Sequence, residues 1–206
     1  MLRIIALSAL ALILVAGNIH AGTVDPTGDF LGTYAGPQNG DMDITEVDAT
    51  FDGSTFVLTS KFAGSIGTTV GGRYIWGVNR GAGTAGFGVS LGRTGVLFDA
   101  VIAINNTGTG TAAGAALPAA NIVISGNMLT VRVPASMLTS TGFAASAYTF
   151  NLWPRSPGSG TTFIPDFAPD NSNIAARAVP EPASIASAVL GASAGLAFLV
   201  RRRTRA

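Results

Sequence analysis

Residues 41–62 read DMDITEVDATFDGSTFVLTSKF, and this stretch decides the fold class. In its first half Met42, Ile44, Val47, Ala49 and Phe51 are apolar, with acids and threonines between them. A period of two puts alternate side chains on opposite faces of a strand. The register slips at Thr45-Glu46, as a β-bulge makes it slip. Asp52-Gly53 follows, a pair suited to a hairpin turn because both positions tolerate positive φ. The alternation then resumes, with Phe56, Leu58 and Phe62 on one face and Val57, Thr59 and Lys61 on the other. Two alternating runs joined by such a turn predict a half-buried antiparallel hairpin.

The chain on either side repeats this pattern. Residues 73–78 and 95–105 are strand candidates, the latter containing Val96-Leu97-Phe98 and Val101-Ile102-Ala103-Ile104. Ile122-Val123-Ile124 and residues 128–133 flank Ser125-Gly126-Asn127, a second hairpin signal. Pro134 ends that strand, and residues 135–138 suit one helical turn. Residues 147–153 form a last strand, with Tyr148, Phe150 and Leu152 alternating against Thr149 and Asn151. Glycine and proline break every interval, and no stretch keeps a 3.6-residue period. The expected fold is all-β, a single antiparallel β-sandwich or jelly-roll-like domain over residues 22–164. Residues 106–120, rich in Thr, Gly and Ala, read as a surface loop. Residues 165–178, rich in Pro, Asn and Asp, read as a flexible linker.

Composition narrows the chemistry. The chain has no cysteine, and its one histidine, His20, precedes the domain. Ser-His-Asp and Cys-His catalysis and ordinary zinc sites are therefore ruled out in residues 22–179. That segment keeps seven basic and ten acidic residues, a net charge of −3. So acidic and charge-poor a domain does not suit nucleic acid or an anionic lipid surface.

Both chain ends carry targeting features. Met1-Leu2-Arg3 is a short basic start, residues 4–16 are almost wholly apolar, and Ile19-His20-Ala21 offers a cleavage site. Residues 1–21 thus read as a secretory signal peptide. At the other end Val179 leads into Pro180-Glu181-Pro182, then into residues 183–200, which carry no charge. Eighteen such residues reach the lower limit for a transmembrane helix. Arg201, Arg202, Arg203 and Arg205 follow and set the C-terminus on the cytoplasmic side.

The triplet, helix and arginine cluster of residues 179–206, in that order, resemble the PEP-CTERM sorting signal of Gram-negative bacteria. The resemblance implies export through the Sec machinery and the inner membrane, then processing by an exosortase that recognises Pro180, Glu181 and Pro182. The helix would stop transfer and the arginines would set topology. The protein would end in the cell envelope, at the surface or in a biofilm matrix, with the sortase as the enzyme and this chain as its non-enzymatic substrate.

Three further features invite a ligand. Gly81-Ala82-Gly83-Thr84-Ala85-Gly86 matches G-x-G-x-x-G, but Phe87-Gly88-Val89 does not begin the helix a dinucleotide site needs. Seven of the domain's ten acids fall within residues 25–52, and Asp41 and Asp43 on one strand would point the same way about 7 Å apart. Asp41, Asp43 and Asp48 are therefore the candidate ligands for Ca²⁺, which takes carboxylates and carbonyls. A pair of these acids also fits glycoside hydrolysis in type, though nothing singles one out. Tyr74, Trp76 and Trp153, with Tyr148, are candidates for a sugar-stacking surface that binds extracellular polysaccharide.

Overall fold

The computed structural model describes residues 22–179. The signal peptide, Pro180-Glu181-Pro182, the apolar segment 183–200 and the arginine cluster lie outside the described residues. Among the described residues no helix is long and apolar enough to cross a membrane.

The protein is mostly β, built as two sheets. Strands β1 (Thr23–Val24), β2 (Ile44–Phe51), β3 (Thr55–Phe62), β8 (Ile122–Ser125), β9 (Met128–Pro134) and β12 (Arg177–Ala178) make the first sheet, in the order β1-β2-β3-β9-β8. The second comprises β4 (Arg73–Asn79), β5 (Ala100–Asn105), β6 (Gly110–Ala112), β7 (Ala115–Ala116), β10 (Thr149–Arg155) and β11 (Ile174–Ala175). Its order is β11-β10-β4-β5-β6-β7. Among the described residues one α-helical turn, α1 (Gly88–Leu91), interrupts the strands, along with short 3-10 turns. Pairing is antiparallel throughout except at β12, which lies parallel to β2.

The expected hairpin forms over residues 44–62, while residues 40–42 make a 3-10 turn instead of the start of its first strand. Phe51 pairs with Phe56, and the register shifts between Ile44 and Glu46, where the alternation slipped. Gly53 takes the positive φ, while Asp52 closes the turn through its side chain. Its Oδ1 accepts from the Ser54 N–H, the Ser54 hydroxyl and the Thr55 N–H at 2.8–2.9 Å. At the second hairpin Ser125 pairs with Met128 across Gly126-Asn127.

The apolar faces of the two sheets meet. From the first sheet Ile44, Val47, Ala49, Phe56, Leu58 and Phe62 are fully buried, as is Met42 in the turn before β2. Tyr74, Trp76, Val78, Ile102, Ile104, Phe150 and Leu152 face them from the second. Phe56 lies 5.3 Å from Phe150 and 5.5 Å from Tyr148, and Phe62 lies 4.8 Å from Tyr74, ring centre to ring centre. These separations suit attractive offset and tilted aromatic pairs.

The outer face of the second sheet carries a smaller apolar cluster. Ile75 and Trp153 rise from β4 and β10 and are covered by Phe87, Val96, Ile164 and Phe167. The excursion between β4 and β5 and the segment after β10 supply this cover, so β4 and β10 are buried on both faces.

Two expectations fail. Residues 106–120 are not one loop but include β6 and β7, joined by Ala113-Gly114 with both residues at positive φ. Small side chains hid these strands: Ala112 is buried against β5 with almost no apolar signal of its own. Residues 165–178 are not a tether. Phe167 and Ala168 are fully buried, Ala168 bridges Leu152, and β11 and β12 each join a sheet. The polar residues that suggested flexibility instead bind backbone. Asn173 Nδ2 donates to Leu97 C=O at 2.7 Å, and its Oδ1 accepts the Leu97 N–H at 3.1 Å. From β10, Asn151 Nδ2 in turn donates to the segment's own carbonyls at Pro169 and Ser172, at 2.6 and 2.8 Å.

Candidate metal centre

The expected calcium ligands do not come together. Asp41 lies in the 3-10 turn Gly40–Met42 rather than on β2, and it is fully buried. Its carboxylate accepts from the N–H groups of Gly67 and Thr69, the Thr69 hydroxyl and the Tyr74 hydroxyl, at 2.7–3.3 Å. Asp41 is thus fully occupied in pinning the loop before β4. Burial, then the Asp41 charge, pushes the Tyr74 hydroxyl above its ordinary value. Asp48 faces elsewhere and pairs with Arg177 of β12 at 2.5 and 3.2 Å. Of the three, only Asp43 belongs to an acidic site.

That site gathers carboxylates from three segments. Asp25 follows β1, where its N–H donates to Thr45 C=O at 3.0 Å. Asp29 follows the turn at Gly28, whose φ of +82° only glycine adopts without strain. Asp43 leads into β2. Asp166 comes from the segment after β10, 122 positions beyond Ile44, to which it is bonded. Asp25, Asp29 and Asp166 each present one oxygen, all within 4.8 Å of one another.

Backbone bonds hold the arrangement. At the β2 bulge the Ile44 N–H donates to Asp166 Oδ2 at 2.9 Å, and the Phe167 N–H donates to Oδ1 at 2.6 Å. The Gly28 N–H donates to Asp43 Oδ2 at 2.9 Å. Asp43 is therefore bracketed: the residue before Asp29 binds it, and the residue after it binds Asp166. The Leu31 N–H donates to Pro165 C=O at 2.7 Å, which lays the N-terminal loop along the C-terminal segment.

The site is largely buried and electrically lopsided. Asp166 is 1% exposed, Asp43 4% and Asp25 6%. Asp25 Oδ2, Asp29 Oδ1 and Asp43 Oδ1 are buried without a hydrogen-bond partner. Burial, reinforced by Asp166 and Asp29, pushes the Asp25 carboxyl up to about 8. Burial also raises Asp166 to about 7, against the pull of the Ile44 and Phe167 N–H groups. Asp29 and Asp43 are raised too, again first by burial. Among the described residues the cation that acts on Asp29 is Arg93, which is itself paired with Asp170 at 2.9 Å. The donor set is all oxygen and suits a hard divalent cation rather than zinc or copper.

Sequence reading reached Asp25 and Asp29 only as members of an acidic run. Asp166 was missed, and the signal for it is slight: one acid between Pro165 and Phe167 in a segment that otherwise looks like linker.

The aromatic candidates are corrected as well. Tyr74 and Trp76 are fully buried between the sheets, Tyr148 is 2% exposed, and Trp153 is 3% exposed beneath Phe87 and Phe98. None offers a face to a sugar; their apolar bodies fill the two cores. Gly81 to Gly86 is a surface turn before the four-residue α1, which is too short to receive a pyrophosphate. Comparison with known protein families, curated proteins and solved structures gives no match to this chain.

Proposed function

We propose that this is an exported, non-enzymatic protein of the cell surface or extracellular matrix. In this reading the signal peptide delivers a single β-sandwich domain across the inner membrane through the Sec machinery. An exosortase then recognises Pro180-Glu181-Pro182, with residues 183–200 as the transient membrane helix and Arg201, Arg202, Arg203 and Arg205 holding it in place. The product ends in the envelope or the polysaccharide matrix around it.

The observation that carries the reading is the order of parts at the tail: triplet, uncharged stretch, arginines. The fold is consistent with it. Strand β12 ends at Ala178, and the Val179 N–H still donates to Phe51 C=O at 2.9 Å. The packed domain therefore runs to the residue before the triplet. A sortase would have to work close to the domain, with no spacer between.

A non-enzymatic role is supported by burial. Of the acids that come together, Asp25, Asp43 and Asp166 are buried and only Asp29 is partly exposed, which leaves a glycan no accessible pair of them as glycoside hydrolysis requires. The sugar-stacking alternative loses its basis with Tyr74, Trp76 and Trp153 inside the protein.

The test is a full-length chain with an epitope tag after Ala206, expressed in a host with and without an exosortase. Loss of the tag from the exported protein, dependent on the sortase and abolished by replacing Pro180, Glu181 and Pro182 together with alanine, is expected. Exported protein that keeps its tag in the sortase-bearing host refutes the reading.

A further inference from the structure

We propose that Asp25, Asp29, Asp43 and Asp166 hold one Ca²⁺ ion, and that this ion fastens both ends of the domain to β2. The site goes beyond the sorting reading and does not depend on it.

Two observations meet here. The first is the convergence of carboxylates, three of them with oxygens within 4.8 Å of one another and the fourth bracketed between them by backbone bonds. The second is what they lack. Asp25 and Asp43 are more than nine-tenths buried, yet each turns one oxygen to no hydrogen-bond partner. A buried, unpartnered carboxylate oxygen is costly, because water is gone and nothing replaces it. Domains that need acids only for solubility expose them. Here they are drawn inward, where a cation offsets both the desolvation and the mutual repulsion.

Among the described residues the one cation acting on this cluster is Arg93, which is felt by Asp29 and is itself bonded to Asp170. Asp166 already accepts two N–H bonds, but each carboxylate oxygen has two lone pairs, so bonded oxygens still have one to give an ion. The donor type selects Ca²⁺. Ca²⁺ accepts irregular cages of protein oxygens, whereas Mg²⁺ demands near-octahedral geometry and keeps several waters.

The placement gives the ion its role. Asp25 and Asp29 belong to the N-terminal segment, Asp166 to the C-terminal segment, and Asp43 to the start of β2. Besides this contact, residues 22–31 are held by the two-residue β1, a few backbone bonds and the packing of Phe30 and Leu31. Binding to the assembled site and not to an open one shifts the opening equilibrium by mass action.

The experiment takes the full chain purified in detergent and stripped with chelator. CaCl₂ or MgCl₂ is titrated calorimetrically, and amide hydrogen exchange is read with CaCl₂ or chelator present. One Ca²⁺ per chain is expected, with a Kd of about 10⁻⁴–10⁻³ M, the range of extracellular modules. At Ca²⁺ about 100 times Kd, exchange through local opening in residues 22–31 and 164–168 slows by about a hundredfold. The β8–β9 hairpin does not change, and MgCl₂ has neither effect. Asp29→Asn and Asp43→Asn each weaken binding at least tenfold, while Asp52→Asn does not. Binding without protection of the two segments overturns the fastening. No binding, or equal binding by the Asp29→Asn and Asp43→Asn proteins, overturns the site itself. The wild-type comparison with and without chelator decides the matter even if a variant fails to fold.

Discussion

Replacing Phe167 by alanine tests whether residues 165–178 are part of the domain or a tether from it. Phe167 is fully buried. Its ring stands 5.1 Å from Phe87 and 5.9 Å from Trp153, with the Arg93 guanidinium 5.7 Å above its centre. Truncating such a phenylalanine costs about 3–5 kcal/mol, being the lost transfer energy plus the cavity left behind. The site belongs in the upper part of that range, because the surrounding rings are stiff and collapse poorly into the space. With a urea slope of about 2 kcal/mol per molar, the unfolding midpoint falls by about 2 M. The assay is urea unfolding of residues 22–179 followed by circular dichroism, with Phe143→Ala as control. Phe143 is 40% exposed, and its loss should stay within about 0.5 kcal/mol. A Phe167→Ala protein that unfolds within about 0.5 kcal/mol of wild type refutes the packing argument and restores the linker reading.

Two other outcomes follow from the same core and from the loop it supports. Gly77→Ala places a Cβ 2.5 Å from Trp153 Cζ3 and 3.2 Å from Phe98 Cβ, and these rings have no room to move; a loss of about 1–3 kcal/mol is expected in the same urea assay. Asp99 is the group to follow by pH. Burial raises its carboxyl, but bonds from Thr141, Arg80 and Ala82 together outweigh that and leave it below the ordinary 3.8. A carboxyl lowered in the folded state adds stability that is complete above the unfolded value and is lost as pH falls through the folded one. Asp99→Asn should therefore cost stability at pH 7, and the difference in Tm from wild type should shrink below about pH 4. A difference that stays constant down to pH 2 refutes the assignment.

The hairpin at 41–62 was legible because local rules and burial agreed there. Period two, a turn pair and a slip in register all describe one face meeting a core. Residues 106–120 were opaque for the opposite reason. Alanine and glycine strands bury backbone rather than side chains, so hydropathy does not mark them. In residues 165–178, asparagine and aspartate carry two meanings, solvation or side-chain bonding to backbone, and composition alone does not separate them. Asn171 and Asn173 take the second. The acidic site was half visible for a related reason. The crowding of acids in residues 25–52 was plain. Asp41 and Asp48 turn out to be satisfied by the Thr69 loop and by Arg177, and the fourth carboxylate of the cluster comes from a segment far along the chain.

Strands β1 and β12 lie along the same edge of β2, β1 against Glu46 and Val47 and β12 against Thr50 and Phe51. From Val47 to Phe51 is about 13 Å along a strand, so the chain enters and leaves the domain almost at one point. Tension on the tail therefore reaches the protein as a load on two residues of β12 and the Arg177–Asp48 pair, and it need not cross the sheets. Under such a pull β12 and the Arg177–Asp48 pair bear the load before the core residues behind them. The protein can be tugged by whatever holds its tail while the body keeps its shape.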